Sequence, residues 1–213
     1  MNERIEKTIK NLNKNNINTF FVNSGEEVIP LIEKLVCEGA TVSVGGSVTL
    51  AETGVLEHLR SGRYNFLDRY EPGLTPDEIN EVFRKSYRAD AYFTSSNAVT
   101  EDGELYNVDG AANRISAIAF GPEKVIVIVG VNKIVKNLDE AVKRVKTIAA
   151  PKNCVRLNRD TYCSRMGHCV DVDGGIGKGC DSDARICRHY HVCAKQTAMG
   201  RINVIIVNED LGY

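Results

Sequence analysis

The densest set of reactive side chains lies towards the end of the sequence, where six of the 7 cysteines fall between residues 152 and 197. Thiolates are typical ligands of zinc and iron–sulfur centres, in which three or four converge on one site. Their spacing matches neither the C-x2-C pairs of a zinc ribbon nor the C-x2-C-x2-C of a ferredoxin. The cluster therefore predicts a metal site without identifying the metal, and disulfides or free structural thiols are the alternatives.

A second candidate site is a glycine pair, Gly45 and Gly46, which follows an apolar strand and precedes a helix start. Glycines let the backbone approach a ligand closely, and free N–H groups at a helix start favour an anion. The hydroxyls of Ser47 and Thr49 could add donors. In parallel sheets ligands usually bind beyond the carboxyl ends of the strands, where this turn belongs. We predict a binding site for a small anion, and the alternative is a strand–helix turn with a hydroxyl cap.

Polar runs follow two later strands, at residues 94–103 and 107–114. So many amides, carboxylates and one arginine at strand ends are typical of binding loops. The candidate ligand contacts are Asn97, Asp109, Asn113, Arg114 and Lys133. Arg114 suits a carboxylate or a phosphate. Turn formation is the alternative for the two runs, and an exposed surface lysine is the alternative for Lys133.

No catalytic residue is predicted. The sequence offers no recognisable Ser-His-Asp set, and Glu52 and Asp109 are the only acidic groups near the glycine turn that could act as a base.

The elements that must position these groups alternate between apolar strands and amphipathic helices. The predicted strands are Thr19–Val22, Thr41–Val44, Tyr64–Leu67, Ala91–Thr94, Glu104–Val108, Val125–Val129 and Ile202–Val207. The predicted helices are Glu27–Glu38, Leu50–Arg60, Pro76–Arg88 and Leu138–Ala149. This order predicts an α/β fold with a mostly parallel sheet between helix layers.

Local start signals support the helices. Capping boxes are predicted for the pairs Ser24 with Glu27, Thr49 with Glu52, and Thr75 with Glu78, and Asn137 can cap the last helix. We expect Cys37, within an apolar helical pattern, to be a buried small side chain.

The length suits one domain over residues 1–213, with the cysteine-rich segment 152–197 inserted before the last strand. That segment has little apolar periodicity, so we expect an excursion packed by metal bonds rather than by a hydrophobic core.

The composition argues against some classes of partner. The formal net charge is −1 and the basic residues are dispersed, which argues against nucleic acid. No apolar run reaches the length of a membrane span, and the first 16 residues lack a signal-peptide core. We therefore expect a cytoplasmic protein with reduced thiols.

Several motifs together resemble the LUD-domain (lactate-utilization protein C-like, DUF162) family. They are Gly45-Gly-Ser-Val-Thr49, Leu67-Asp-Arg-Tyr70, Ser96-Asn-Ala-Val-Thr-Glu-Asp-Gly103, Asn107-Val-Asp-Gly110, Asn113-Arg114, Phe120-Gly-Pro122, Val129-Gly-Val-Asn-Lys133 and Glu209-Asp-Leu-Gly212. The resemblance implies a fold like that of ribose-5-phosphate isomerase and the CoA-transferases, in which the glycine turn meets phosphate or acyl ligands. It also implies a place in L-lactate oxidation to pyruvate, beside iron–sulfur protein subunits.

Some branches of that family end in a C-x5-C-x2-C-x6-C pattern. Cys163, Cys169, Cys180 and Cys187 match its four positions, which implies that they are the metal ligands. The sequence departs from the pattern by an insertion at Asp171–Gly179, where x10 replaces x2. Cys154, Cys193 or a histidine could then substitute for one of the four.

Two functions follow as hypotheses. The first is a subunit or enzyme of hydroxy-acid oxidation with an iron–sulfur or other metal centre. The second is a binding or group-transfer protein for phosphate or CoA, with structural zinc. A regulatory or assembly protein remains a third.

Overall fold

The computed structural model describes residues 2–213, and its strands form two β-sheets. The strands are β1 Asn18–Val22, β2 Thr41–Val44, β3 Asn65–Leu67, β4 Ala91–Thr94, β5 Ala98–Thr100, β6 Leu105–Asp109, β7 Lys124–Gly130, β8 Ile134–Val135, β9 His189–Cys193 and β10 Ile202–Val207. The larger sheet has six strands in the order β1-β10-β7-β4-β2-β3, and every neighbouring pair is parallel. This confirms the predicted parallel α/β sheet.

The helices cover both faces of this sheet. They are α1 Glu3–Lys14, α2 Val28–Leu35, α3 Val48–Glu52, α4 Val55–Leu59, α5 Pro76–Ser86, α6 Asn113–Ala119, α7 Leu138–Arg144, α8 Ala150–Arg156 and α9 Tyr162–Met166. A π-helical turn at Val145–Ala149 joins α7 to α8. In the part of the chain described, no helix is long and apolar enough to cross a membrane.

The central strands explain the two-sided core. Along β7, Ile126 and Ile128 point into one apolar cluster, with α2, α3 and α4. The alternate residues, Val125, Val127 and Val129, point into the other, with α1 and α6. Because side chains alternate along a strand, an unbroken Val/Ile run buries both faces, as predicted.

Some local expectations hold and others need correction. Thr75 and Glu78 form the predicted capping box, and Asn137 caps α7. The predicted helix Leu50–Arg60 is instead two short helices, because Gly54 adopts a left-handed φ of 67° between them. A left-handed residue ends a helix, and glycine adopts that conformation without steric cost.

The expected boundaries near α2 and α3 also differ. The predicted box of Ser24 with Glu27 is wrong, since Ser24 makes no side-chain cap and a 3-10 turn precedes α2. The hydroxyl of Ser47, rather than that of Thr49, caps α3 by accepting from a backbone N–H. Cys37 lies beyond the end of α2 and is exposed, so the expectation of a buried side chain is wrong.

The second sheet, in the order β8-β5-β6-β9, is mixed. The predicted strand Glu104–Val108 corresponds to β6, which lies here, antiparallel to β5 and β9. Since β9 belongs to the cysteine-rich segment and buries Cys193 in the core, the expectation of an excursion without core packing holds only in part. The segment returns to the domain through β9 before β10 begins.

We expect Gly130→Ala to destabilise the carboxyl end of β7, because the added Cβ would lie 2.5 Å from the Glu209 carbonyl oxygen and 2.6 Å from the Leu211 nitrogen. Overpacking of this kind costs about 1–3 kcal/mol of unfolding free energy. Urea unfolding measures this, with Gly175→Ala, whose Cβ would meet open space, as the control. Equal stability of the two variants would contradict the prediction.

Candidate functional site

A cleft of about 510 Å³ opens where the parallel strands end at their carboxyl termini. Its walls are the glycine turn after β2, the loop after β4, the start of α6, helix α8 and the segment 183–188 of the cysteine-rich region. Ligands of parallel α/β sheets usually bind at this edge. The cleft is therefore the candidate functional site.

Arg114, in the first turn of α6, is fully engaged by the protein. Its donors reach the Ser95 carbonyl, Asn97 Oδ1, Asn107 Oδ1, the Val108 carbonyl and Asp109 Oδ1, at 2.6–3.1 Å. A guanidinium has five N–H groups, so none is left for a ligand. Arg114 shapes the cleft wall by tying the loop after β4 to β6.

The same network accounts for other predicted ligand contacts. Asn97 Oδ1 accepts a second hydrogen bond from the Val108 backbone N–H, at 2.9 Å. The other carboxylate oxygen of Asp109 accepts from the Ile115 N–H at 2.8 Å. Both residues line the cleft, yet their oxygens hold protein groups. Asn113 also lines the cleft.

The two glycines of the turn have different positions, one packed inside the protein and one lining the cleft. A Cβ on Gly45 would lie 2.9 Å from the Tyr92 hydroxyl and 3.2 Å from Arg114 Cδ, so close packing requires glycine there. Gly46 and Ser47 line the cleft, and Gly46 is exposed. The turn therefore presents its second glycine and its serine to a ligand, while Gly45 packs inward.

Lys133 lies on the cleft wall in a 3-10 turn after β7 and is 2% exposed, so it is not the surface lysine of the alternative. Its Nζ lies 2.8 Å from Thr49 Oγ1 and 3.0 Å from Ser95 Oγ. Within residues 2–213 no carboxylate pairs with it. Thr49, predicted to meet the ligand, thus acts by holding the lysine.

Burial lowers the pKa of Lys133 to about 7, and the positive charges of Arg144 and Arg114 add to the effect. The Glu52 carboxylate has the opposite effect and raises this pKa slightly. A low-dielectric site disfavours the charged amine, and nearby cations disfavour it further. At neutral pH the amine is therefore present in both protonation states.

The sequence reading missed the remaining basic residues of the cleft. Arg69 stacks over the rings of Phe83 and Tyr70, at 4.6 and 5.1 Å from its guanidinium carbon to the ring centroids. Its buried Nε has no hydrogen-bond partner in the described chain. The arginine stands in the Leu67–Tyr70 motif, but only the fold brings that strand end beside Gly46.

The whole cleft is strongly positive. Seven basic side chains line it, Arg69, Arg114, Lys133, Arg156, Arg159, Arg185 and Arg188, against two acidic ones, Asp109 and Asp183. Of the seven, only Arg114 forms an ion pair within residues 2–213. Clefts lined by one sign of charge concentrate ligands of the opposite sign.

The four predicted metal ligands line a second, smaller cavity of about 20 Å³ with mostly apolar walls. They are Cys163, Cys169, Cys180 and Cys187. Arg185 braces the loop by donating to the carbonyls of Cys187, at 2.8 Å, and Cys180, at 3.2 Å. With the insertion 171–179 in place, all four cysteines still line one cavity.

Two further cysteines differ in position. Cys154 Sγ lies 3.7 Å from Cys163 Sγ, and burial raises the pKa of Cys154 to about 11. Cys193 lies in the core beside β6, apart from this cavity. Four thiols have the chemistry of a zinc or iron–sulfur site. As the side chains stand, no three His, Cys, Asp or Glu residues among 2–213 are arranged to hold an ion.

Among known protein families, the LUD domain matches this chain over residues 5–207. The chain belongs to the LUD-domain family. No curated protein matches its sequence.

Two solved structures are similar to this LUD-domain protein. A DUF162 family protein from Deinococcus radiodurans has a TM-score of 0.53 at 17% identity, covering 96% of each chain. Ribose 5-phosphate isomerase A from Methanocaldococcus jannaschii has a TM-score of 0.37 at 18% identity over 76% of each chain. The first of these supports the α/β architecture, as the sequence predicted.

We expect Arg114→Met to destabilise the protein by about 3–5 kcal/mol, because it leaves the buried Asp109 carboxylate without its counter-ion. Chemical denaturation measures the loss. The control is Arg84→Met, whose ion pair with Glu81 is exposed and contributes about 0–1 kcal/mol. A loss no larger than that of the control would show that Arg114 does not hold the cleft wall.

The depressed pKa of Lys133 predicts a pH-dependent stability. Between pH 7 and its ordinary pKa of 10.5 the unfolded chain binds a proton that the folded chain releases. The unfolding free energy of the wild type should therefore rise with pH relative to Lys133→Met, by at most about 1.4 kcal/mol per pH unit. Denaturation at several pH values tests this. Lys136→Met, at an exposed site, is the control variant, and a flat difference for Lys133→Met would refute the buried amine.

Proposed function

We propose that this LUD-domain protein binds a small carboxylate or phosphorylated metabolite in the strand-end cleft and acts in hydroxy-acid metabolism, as in L-lactate oxidation. The observation that carries the proposal is the set of cations that line the cleft without a carboxylate partner in the described chain. Lys133 is buried and Arg69 is half-buried. Burying a cation without a counter-ion is unfavourable, so an anionic ligand would stabilise this site. Membership of the lactate-utilization family supplies the metabolic context.

The cleft offers two kinds of anion contact. Deep in the wall, Lys133 supplies an amine beside the Ser95 hydroxyl. Near the glycine turn, Arg69 supplies a planar guanidinium, and its Nη1 lies 3.8 Å from the position of a Cβ on Gly46. A guanidinium can bind a carboxylate or phosphate through two parallel hydrogen bonds. We therefore assign recognition of the anionic group to Arg69, and Lys133 lines the same cleft next to the bound metabolite.

The cysteine cavity is the second part of the proposal. We propose that Cys163, Cys169, Cys180 and Cys187 hold a metal centre, and that Cys154 next to Cys163 is the nearest substitute. An iron–sulfur centre would supply one-electron transfer when bound. Cys187 lines both the cavity and the cleft, so this residue forms a wall between the bound metabolite and the centre.

The size of the cavity favours a specific alternative. A volume of about 20 Å³ is close to that of one water-sized body. A single zinc ion needs less rearrangement of the thiols than a multi-iron cluster. Structural zinc, with phosphate or CoA as the cleft ligand in a binding or group-transfer protein, is therefore the second candidate function. A cytoplasmic location and iron–sulfur partner subunits belong to the first.

We expect L-lactate, pyruvate, inorganic phosphate or CoA to bind the purified protein, measured by isothermal titration calorimetry. Arg69→Gln should raise the Kd about ten- to a hundred-fold, because a charge-assisted hydrogen bond contributes about 1.5–3 kcal/mol to binding. Arg84→Gln, at an exposed site paired with Glu81, should bind as the wild type does.

Binding of lactate or pyruvate favours the first function. Binding of phosphate or CoA alone favours the second. If none of the four anions binds, or if Arg69→Gln binds equally well, the assignment of the cleft is wrong.

We expect anaerobically purified protein to contain iron with acid-labile sulfide, or zinc, and the metal content identifies which candidate holds. Cys163→Ser should lower the metal content to less than about half, because a thiolate ligand is lost. Cys193→Ser is the matched control, since that thiol is also buried but lies outside the cavity. Metal retained in Cys163→Ser, or lost equally from both variants, would exclude this ligand set.

A further inference from the structure

Lys133 has a chemical setting that anion binding alone does not require. Its side chain is buried, and its Nζ contacts two neutral hydroxyls, at 2.8 Å and 3.0 Å. The Thr49 hydroxyl is also placed to donate to the Leu211 carbonyl, at 3.5 Å. When it does so, its oxygen accepts from the lysine. These hydroxyls therefore orient the amine without favouring its charged form. A carboxylate in their place would stabilise the protonated amine.

We propose that Lys133 is a nucleophile that forms a Schiff base with the carbonyl carbon of a small anionic oxo acid bound in the strand-end cleft. The inference rests on the proposed function, because the cleft must first hold the carboxylate or phosphate of that oxo acid. It deepens that function by naming an oxo compound as the ligand class and a covalent bond as the mode of binding.

The step is balanced with the groups in place. The lone pair of Nζ forms a bond to the carbonyl carbon, and the carbonyl oxygen takes up the proton that the nitrogen releases. A second proton from the nitrogen completes a water molecule, which leaves as the C=N bond forms. The Ser95 hydroxyl, 3.0 Å from Nζ, is placed to relay these protons. No oxidant or reductant takes part.

The surroundings explain why this lysine is suited to the step. Only the neutral amine has a free lone pair, and lysine is activated by burial or by a neighbouring cation. Arg144 is buried beside the site, where it donates to the carbonyls of Asn132 and Asn97. Arg114, the second nearby cation, is fixed by its own hydrogen bonds. The carboxylate of Glu52, which favours the charged amine, instead accepts from the Gly212 N–H at 2.6 Å.

Reductive trapping tests the inference on the intact protein. The protein is incubated with pyruvate as the probe and with cyanoborohydride, which reduces an imine to a stable secondary amine, and the modified lysine is located by peptide mass spectrometry. At pH 7 a lysine with a pKa near 7 is neutral on the order of a thousand times more often than an exposed one. We expect at least about ten-fold more adduct on Lys133 than on the exposed Lys136, which serves as the internal control.

Variants and pH supply the second readout. Lys133→Arg keeps the positive charge without the nucleophile, so the adduct should disappear while Lys136→Arg traps as the wild type does. In the wild type, the trapping rate at Lys133 should rise with pH and level off above about pH 7, in accord with its lowered pKa. This pH profile needs no variant, so it decides the matter even if Lys133→Arg does not fold.

The outcomes distinguish a failure of the Schiff-base inference from a failure of the proposed anion binding. An adduct confined to Lys133, with that pH profile, supports the inference. Pyruvate that binds by calorimetry without an adduct at Lys133, or with adducts spread over exposed lysines, overturns it and leaves anion binding intact. If neither pyruvate nor the other anions bind and no adduct forms, both the Schiff base and the proposed function fail.

Discussion

The hydrogen-bonded guanidinium of Arg114 is the interaction on which the cleft depends. The residue joins the loop after β4, in the parallel sheet, to β6, in the mixed sheet, and places both beside the glycine turn. Its burial is tolerable because each donor has an acceptor and the Asp109 carboxylate compensates its charge. All five of its donors are used by protein acceptors, so it shapes the cleft without contacting a ligand. Its positive charge also lowers the pKa of Lys133.

Two other cations of the cleft differ from Arg114, because neither has a carboxylate partner in the described chain. Lys133 is stabilised by hydroxyls rather than by a carboxylate, and Arg69 is stabilised by stacking on aromatic rings. Both arrangements hold a cation in position while leaving its charge uncompensated within the described chain. Such groups reduce stability in the absence of an anion and favour its binding. The cost in stability and the affinity for anions therefore have the same physical origin.

Sequence periodicity was sufficient for the parallel sheet, because the apolar runs of β7 and β10 must be buried on both faces. The predicted strand ends also bring Gly46, Ser47 and Lys133 to one edge of the sheet, where they line the cleft. Periodicity could not tell which polar groups the protein uses for itself. Whether Arg114 faces a ligand or five protein acceptors depends on packing between distant segments, which no local pattern records. The same is true of Arg69, whose role depends on its stacking against Phe83.

The central claim is that the strand-end cleft holds an anion against Lys133 and Arg69. The most direct test is a crystal structure of the protein grown with L-lactate, and with phosphate in a parallel crystal. The claim predicts an anion in the cleft, with an oxygen within hydrogen-bond distance of Lys133 Nζ or of the Arg69 guanidinium. A cleft that holds only water in both crystals, or an anion bound only elsewhere on the surface, would contradict it.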